Sequence, residues 1–267
     1  TGSAASVGTA VVFNNNNTID TVSTFDSNSN KVVVAYNDID SSQHGYAIVG
    51  TVDPSDNSIS FGSEVRFEAA IATALGATFD SNANKVVIVY KDEGNSSYGT
   101  AVIGTVSGTS ISFGTPVVYS SATTSSNSAT FDSNSNKVVV GYTAGAKVGT
   151  ISGTGISFGS QTAFIGSPAS RTSMVFDSNS NKVVISSRGQ SADKSWSAVG
   201  TVSGTSISFG TAVQIGTSTS NAYINSTFDS NSNKVVVAFG DGANSNRGTA
   251  IVGTVNGTAI SFGSEVV

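Results

Sequence analysis

With 267 residues, a net charge of −5, 11% charged side chains and no cysteine, the chain excludes several classes of protein at once. It has no basic stripe to displace phosphate counterions, so neither nucleic acid nor an anionic membrane surface is an expected partner. No apolar run approaches the ~18–20 residues of a membrane span, so no membrane insertion is expected, and disulfides and thiolate metal sites are ruled out.

Residues 6–13, Ser-Val-Gly-Thr-Ala-Val-Val-Phe, are worded like the segment from Ser112 to Tyr119, Ser-Phe-Gly-Thr-Pro-Val-Val-Tyr. They read as the end of a repeat. A landmark follows, Phe-Asp before a Ser-Asn-rich turn and a Lys-Val-Val run, beginning at Phe25, Phe79, Phe131, Phe176 and Phe228. A second landmark, Ile-Ser-Phe-Gly, places Phe61, Phe113, Phe158, Phe209 and Phe262. A period near fifty residues marks a supersecondary module that cannot bury its own apolar faces alone. The units run approximately over 14–67, 68–119, 120–164, 165–215 and 216–267 within a single domain, 1–267, with 6–13 an extra repeat end. That extra end, the first residue Thr1, the single Met174 and the lack of a signal-peptide pattern lead us to expect a fragment of a longer repetitive protein.

The second unit shows the elements in order. Residues 77–80 predict a short strand, and 81–84, Ser-Asn-Ala-Asn, a turn. The β-branched run 85–90 suits a strand covered on both faces, and 92–97 is a loop. Residues 99–106 predict a third strand, 107–110 a tight hairpin turn, and 111–118 a fourth, outer strand in which Gly114 and Pro116 suggest a bulge. The stretch 69–75 is the one place where a helical turn is expected. Four antiparallel strands repeated five times predict an all-β fold, a five-bladed β-propeller closed into one toroid. A β-solenoid is the alternative, disfavoured by the hairpins. The landmark Phe residues are expected in the core. The third unit is expected to have the shortest second loop, and one terminal segment is expected to close the ring by pairing in the blade that holds the other.

In an up-and-down blade the first and third turns leave on one face, and the second loop and inter-blade link on the other. The first face is nearly constant among the repeats. The second carries most of the unusual side chains: His44, Tyr46, Arg66, Glu68, Tyr98, Arg171, Arg188, Trp196, Tyr223 and Arg247. Varied loops on a rigid scaffold point to binding. The candidate ligand-binding residues are Asp38, His44, Asp92, Tyr98, Arg188, Trp196, Asp241 and Arg247; drift in unconstrained loops is the other reading.

Catalytic and metal motifs are thin. The turn Asp-x-Asn-x-Asn resembles half a calcium loop, but Lys31 and its equivalents replace the sixth-position Gly and no Glu follows at twelve. We read Asp26, Asp80, Asp132, Asp177 and Asp229 as bonding their own turn amides. A Tyr/Phe-x-Asp motif opens three second loops at Asp38, Asp92 and Asp241. The single His44 supports neither a Ser-His-Asp triad nor a zinc site. A carboxylate pair for glycoside hydrolysis has Glu68, Asp92, Glu93 and Asp193 to draw on, without a motif around them. No cofactor is called for.

The wording Phe-Asp-Ser-Asn-Ser-Asn-Lys-Val-Val-Val-Ala-Tyr resembles repeats in long, low-charge virion and surface proteins of marine viruses, notably tailed phages of marine cyanobacteria, over about 11–267. That resemblance implies a virion, extracellular or cell-surface location, with decoration, fibre or adhesion roles and other virion or surface proteins as partners. It transfers no catalytic residue, and the sialidase Asp-box is absent. The expectation is a non-enzymatic recognition module that binds a cell-surface glycan or protein receptor through the variable face. The alternatives are a structural spacer and a glycoside hydrolase-like propeller.

Overall fold

Every Phe-Asp landmark ends a strand, and the following Lys-Val-Val run opens the next. The turn between them is held by the Asp. In the first repeat Asp26 Oδ1 accepts the N–H groups of Asn28 (2.9 Å) and Ser29 (3.0 Å). Asp80, Asp132, Asp177 and Asp229 do the same for their own turns. The last turn residue is always Asn in the left-handed region, with φ of 52–55° at Asn30, Asn84, Asn136, Asn181 and Asn233. Asn tolerates that conformation, which explains the fixed wording.

The computed structural model describes residues 7–165, 169–189, 194–219 and 222–267. The fold is all-β and antiparallel. The first module is β1 (Thr18–Asp26), β2 (Lys31–Asp38), β3 (His44–Asp53) and β4 (Ser58–Phe61). The second is β5 (Val65–Asp80), β6 (Lys85–Asp92), β7 (Tyr98–Ser107) and β8 (Ser110–Phe113), followed by β9 (Val117–Thr123). The third is β10 (Ser128–Asp132), β11 (Lys137–Tyr142), β12 (Gly145–Ser152) and β13 (Gly155–Phe158). The fourth is β14 (Ala169–Asp177), β15 (Lys182–Gly189), β16 (Lys194–Ser203) and β17 (Ser206–Phe209), followed by β18 (Val213–Thr219). The fifth is β19 (Ala222–Asp229), β20 (Lys234–Asp241), β21 (Arg247–Asn256) and β22 (Ala259–Phe262). The third module has the tightest second connection, with Tyr142 and Gly145 paired across it.

The outer strand differs from expectation. In the second module it breaks at residues 114–116, and the two pieces, β8 and β9, pair with opposite ends of β7. β17 and β18 divide β16 in the same way. Between the first two modules no break separates the outer piece from the next inner strand. β5 pairs with β3 at its start and with β6 at its end, so these modules share one nine-stranded sheet. Among the described residues the strands thus form four sheets, and five separate blades are not resolved. β5 also runs through 69–75, which forms strand in place of the expected helical turn.

Adjacent modules bury apolar faces against each other. Val33, Ala35, Ala47 and Val49 of the first pack with Phe79, Val86, Ile88 and Tyr90 of the second, and three like clusters follow along the array. The inner strands β1, β5, β10, β14 and β19 stand side by side in that order. No contact of similar extent joins β19 to β1. The expected closure by a terminal segment is also not seen. Gly8 lies against the Asn57 carbonyl of the first module, and Val266 pairs with Ala250 of its own. Eight of the ten landmark Phe residues enter these clusters; Phe61 packs in a separate cluster with Val34, Tyr36 and Ile48, and Phe25 is 55% exposed, against 9% for Phe79.

Candidate active site

The inner strands are not smooth. The register of β1 shifts between Ile19 and Val22, of β5 between Thr73 and Gly76, of β14 between Ser170 and Ser173, and of β19 between Ala222 and Asn225. Within each shift one residue takes a positive φ: Asp20 (51°), Ala74 (50°), Arg171 (51°) and Tyr223 (54°). Non-glycine residues seldom adopt that conformation, and bulges of this kind re-aim a side chain. Ser126 is the matching residue of the third repeat. All five precede their landmark Phe by the same interval, and all five line one cavity of about 740 Å³. That volume suits a small-molecule site.

Polar side chains fix the wall of this cavity. Asp20 Oδ2 accepts the Ala74 N–H (2.9 Å), and Asn127 Nδ2 donates to the Ala74 carbonyl (3.0 Å). Ser126 Oγ accepts the Thr172 N–H, Ser128 Oγ the Met174 N–H (3.1 Å), and Ser173 Oγ the Ser226 N–H (2.9 Å). Each inner strand is thus stitched to the next by a side chain that the neighbouring strand's backbone engages. The Arg171 guanidinium stands 4.5 Å from the centroid of the Tyr223 ring, across two repeats. Arg188, at the end of β15, lines the same cavity.

Below this mouth the channel continues past Ser23, Asn127, Ser128, Ser173 and Ser226. The buried Asn127 Oδ1 and Ser226 Oγ accept no hydrogen bond from the protein there. At the far end Phe25, Phe79, Phe131, Phe176 and Phe228 form an apolar collar. Two guanidinium groups, one carboxylate, a phenol and two side-chain amides at the mouth suit a small, oxygen-rich ligand bearing negative charge or a polarisable carbonyl. Among the described residues no group of three or more His, Asp or Glu side chains is placed to hold a metal ion.

Of the candidate ligand-binding residues named from the sequence, Arg188 alone lines this cavity, together with Arg171 and Tyr223 from the wider set of unusual side chains. Asp38 is fully buried and accepts from Asn14 (3.1 Å), Asn16 (2.9 Å) and Ser41 (3.1 Å). Asp92 and Asp241 cap the short 3-10 turns Glu93–Asn95 and Gly242–Asn244. These three carboxylates hold loops. Burial and then the nearby Glu68 charge push the Asp92 carboxyl above the usual carboxylate range. Glu68 itself accepts from the Tyr90 hydroxyl (2.8 Å), and Glu93 pairs with Lys91 (2.9 Å). Asp193 lies outside the described residues. His44, Tyr98 and Arg247 begin β3, β7 and β21, and half-buried Trp196 sits inside β16 opposite Ser187 and Gln214. Asp20, Ser126, Asn127 and Asn225 escaped the sequence reading. The signal that finds Asp20 and Ser126 is the residue five before each landmark Phe, which differs in every copy; no such signal marks Asn127 or Asn225.

No protein-family model matches the chain, and no curated protein does. Solved structures do share its fold. The periplasmic gluconolactonase PpgL of Pseudomonas aeruginosa matches with a TM-score of 0.65 and 10% identity, over 92% of this chain and 72% of that one. A protein from Lactobacillus plantarum matches with a TM-score of 0.61 and 12% identity, over 91% of this chain and 70% of that one. The layout is thus β-propeller-like. The expectation of a non-enzymatic recognition module is corrected by this match, in which the solved structure that shares the fold is a gluconolactonase.

Proposed function

We propose that the five modules are the blades of an enzymatic propeller, and that the cavity ringed by Asp20, Ser126, Arg171, Arg188 and Tyr223 hydrolyses a small sugar-derived lactone or related ester. The carrying observation is that the position five residues before each landmark Phe, bulged in four of the five repeats, lines this cavity and carries a different side chain in every copy. Repetition alone does not produce a convergent set of Asp, Ser, Arg and Tyr. The shared fold with a gluconolactonase supports the reaction class.

Arg171 and Arg188 hold the lactone carbonyl and the negative charge that develops on its oxygen. Tyr223 keeps the Arg171 fork in place from one side. Asp20 has one oxygen fixed by the Ala74 amide and one available, and takes a proton from the attacking water. The new C–O bond forms from that water, the ring C–O bond breaks, and the released ring oxygen receives the proton. The product is an open hydroxy acid whose carboxylate faces the two arginines.

A pH-stat assay on a panel of aldono-lactones and simple esters tests this. Turnover that falls at least a hundredfold in Asp20→Asn, with an unchanged circular dichroism spectrum and melting temperature, is the expected result. Lack of turnover across the panel, or full activity in Asp20→Asn and in Arg171→Ala alike, would sink it.

A further inference from the structure

The array carries an apolar face that its own pattern says is made to be covered. In the first module Val33 and Ala35 are 1% exposed, and Ala47 and Val49 0%, because the second module lies on them. The same four positions in the fifth module are Val236, Ala238, Ala250 and Val252. There Ala238 is exposed, Val236 and Ala250 are only half-buried, and Val252 is 46% exposed. A groove of about 400 Å³ runs over this face, lined by Ala238, Gly240, Thr249, Ala250 and Val266. The first module is not its partner. Residues 7–13 already occupy that module's outer flank as a preceding repeat's end does elsewhere. The Phe13 ring packs at a tilt against Tyr36 (5.1 Å) and Phe61 (5.8 Å), as the Phe67 ring does against Tyr90 (5.3 Å) and Phe113 (5.7 Å). Gly8 meets the Asn57 carbonyl as Gly62 meets that of Thr109. Gly263, the matching residue of the fifth repeat, has no such carbonyl against it.

We infer that the free face of the fifth module is a docking surface for one more four-stranded module of the same repeat type, with an inner-strand Phe and a second-strand Tyr or Phe to fill the groove. Four internal interfaces show the chemistry, and the new one continues them. This chain covers 72% and 70% of the two solved structures that share the fold, so each of them is longer than the match. The ring is therefore an arc of five modules with space between the fifth and the first. This inference stands apart from the catalytic reading, and its test uses no activity.

The test extends the full chain by a second copy of residues 215–267, which keeps the repeat phase after Val267. The readouts are hydrogen exchange of residues 236–252, sedimentation and the fluorescence of a hydrophobic dye. The expected result is at least tenfold slower exchange over 236–252, less dye bound, and a monomer. Val252→Lys should cancel these gains in the extended chain and leave the melting temperature of the original chain unchanged, since the site is exposed there. Three outcomes overturn the inference. One is exchange over 236–252 in the original chain already as slow as over 33–49. Another is a concentration-dependent dimer abolished by Val252→Lys, which makes a second copy the occupant. The third is no slowing on extension.

Discussion

The Arg171 guanidinium lies 4.5 Å from the Tyr223 ring centroid, and the two residues occupy the same bulge position in consecutive repeats. The repeat thus turns one structural position into two complementary functional groups. The Tyr223 ring is 76% exposed, so the contact is worth about 0.5–1 kcal/mol. Tyr223→Ala should raise KM for a lactone substrate about two- to fivefold with little change in kcat, as measured by steady-state kinetics. Tyr223→Phe should behave as wild type, because the ring face and not the hydroxyl meets the cation.

Glycine at the module junction gives a prediction with its own control. A Cβ at Gly62 would collide with the Thr109 carbonyl of the next module, which is backbone and cannot swing away. Gly62→Ala should cost about 1–3 kcal/mol in urea unfolding, the range for overpacking. Gly263→Ala meets nothing closer than the Val252 carbonyl at 3.8 Å, and should be neutral within ~0.5 kcal/mol.

The constant turns should prove structural. Removing the Asp80 carboxylate frees the N–H groups of Asn82 and Ala83. Asp80→Ala should therefore cost roughly 0.5–2 kcal/mol by denaturant titration. The exposed Asn82 donates only its backbone N–H to this turn, and Asn82→Ala should leave stability nearly unchanged.

Two buried carboxylates should show opposite pH dependence. Burial pushes the Asp38 carboxyl up, but hydrogen bonds from Asn16, Asn14 and Ser41 outweigh it and hold it below the usual carboxylate range. Its contribution is present above the unfolded value of about 3.9 and is lost as pH falls through the depressed folded value. Asp38→Asn should thus cost about 1–3 kcal/mol at pH 7, and the gap should close on acidification. Asp92 is shifted upward, so its ionisation opposes folding as pH rises through the folded value. Asp92→Asn, which retains an acceptor for the Asn95 N–H, should be more stable than wild type at pH 7 and equal to it in acid. Thermal melts between pH 3 and pH 7 check both.

Much of the fold was legible because it is local. Phe-Asp-Ser-Asn-Ser-Asn encodes an Asx turn with a left-handed Asn at its end, and a Lys-Val-Val run can only be a covered strand. The break at residues 114–116 was legible in Gly114 and Pro116, though not that both pieces would return to β7. The continuity of β5 was not legible, since residues 65–76 lack the punctuation that ends the outer strand elsewhere, and their Ala content reads as helical. The site was legible in part. The unusual side chains are visible in the sequence, but Arg171 and Tyr223 converge from inter-blade links, while Asp38, Asp92 and Asp241 are engaged in holding their own loops.

The sequence by itself determined the module: its turns, its strands, its period and the apolar faces each copy must bury. Those follow from contacts within about fifty residues, and hydrogen-bond geometry and hydrophobic periodicity are enough to specify them. Only the tertiary structure decided which residues converge. Asp20, Ser126, Arg171 and Tyr223 are distant in the chain and meet because the inner strands stand side by side, with bulges at Asp20, Arg171 and Tyr223 turning those side chains into a shared channel. It also decided that the array stays open between the fifth module and the first. That depends on whether residues 7–13 or residues 263–267 hold one flank, a competition between two segments of nearly the same wording that only packing resolves.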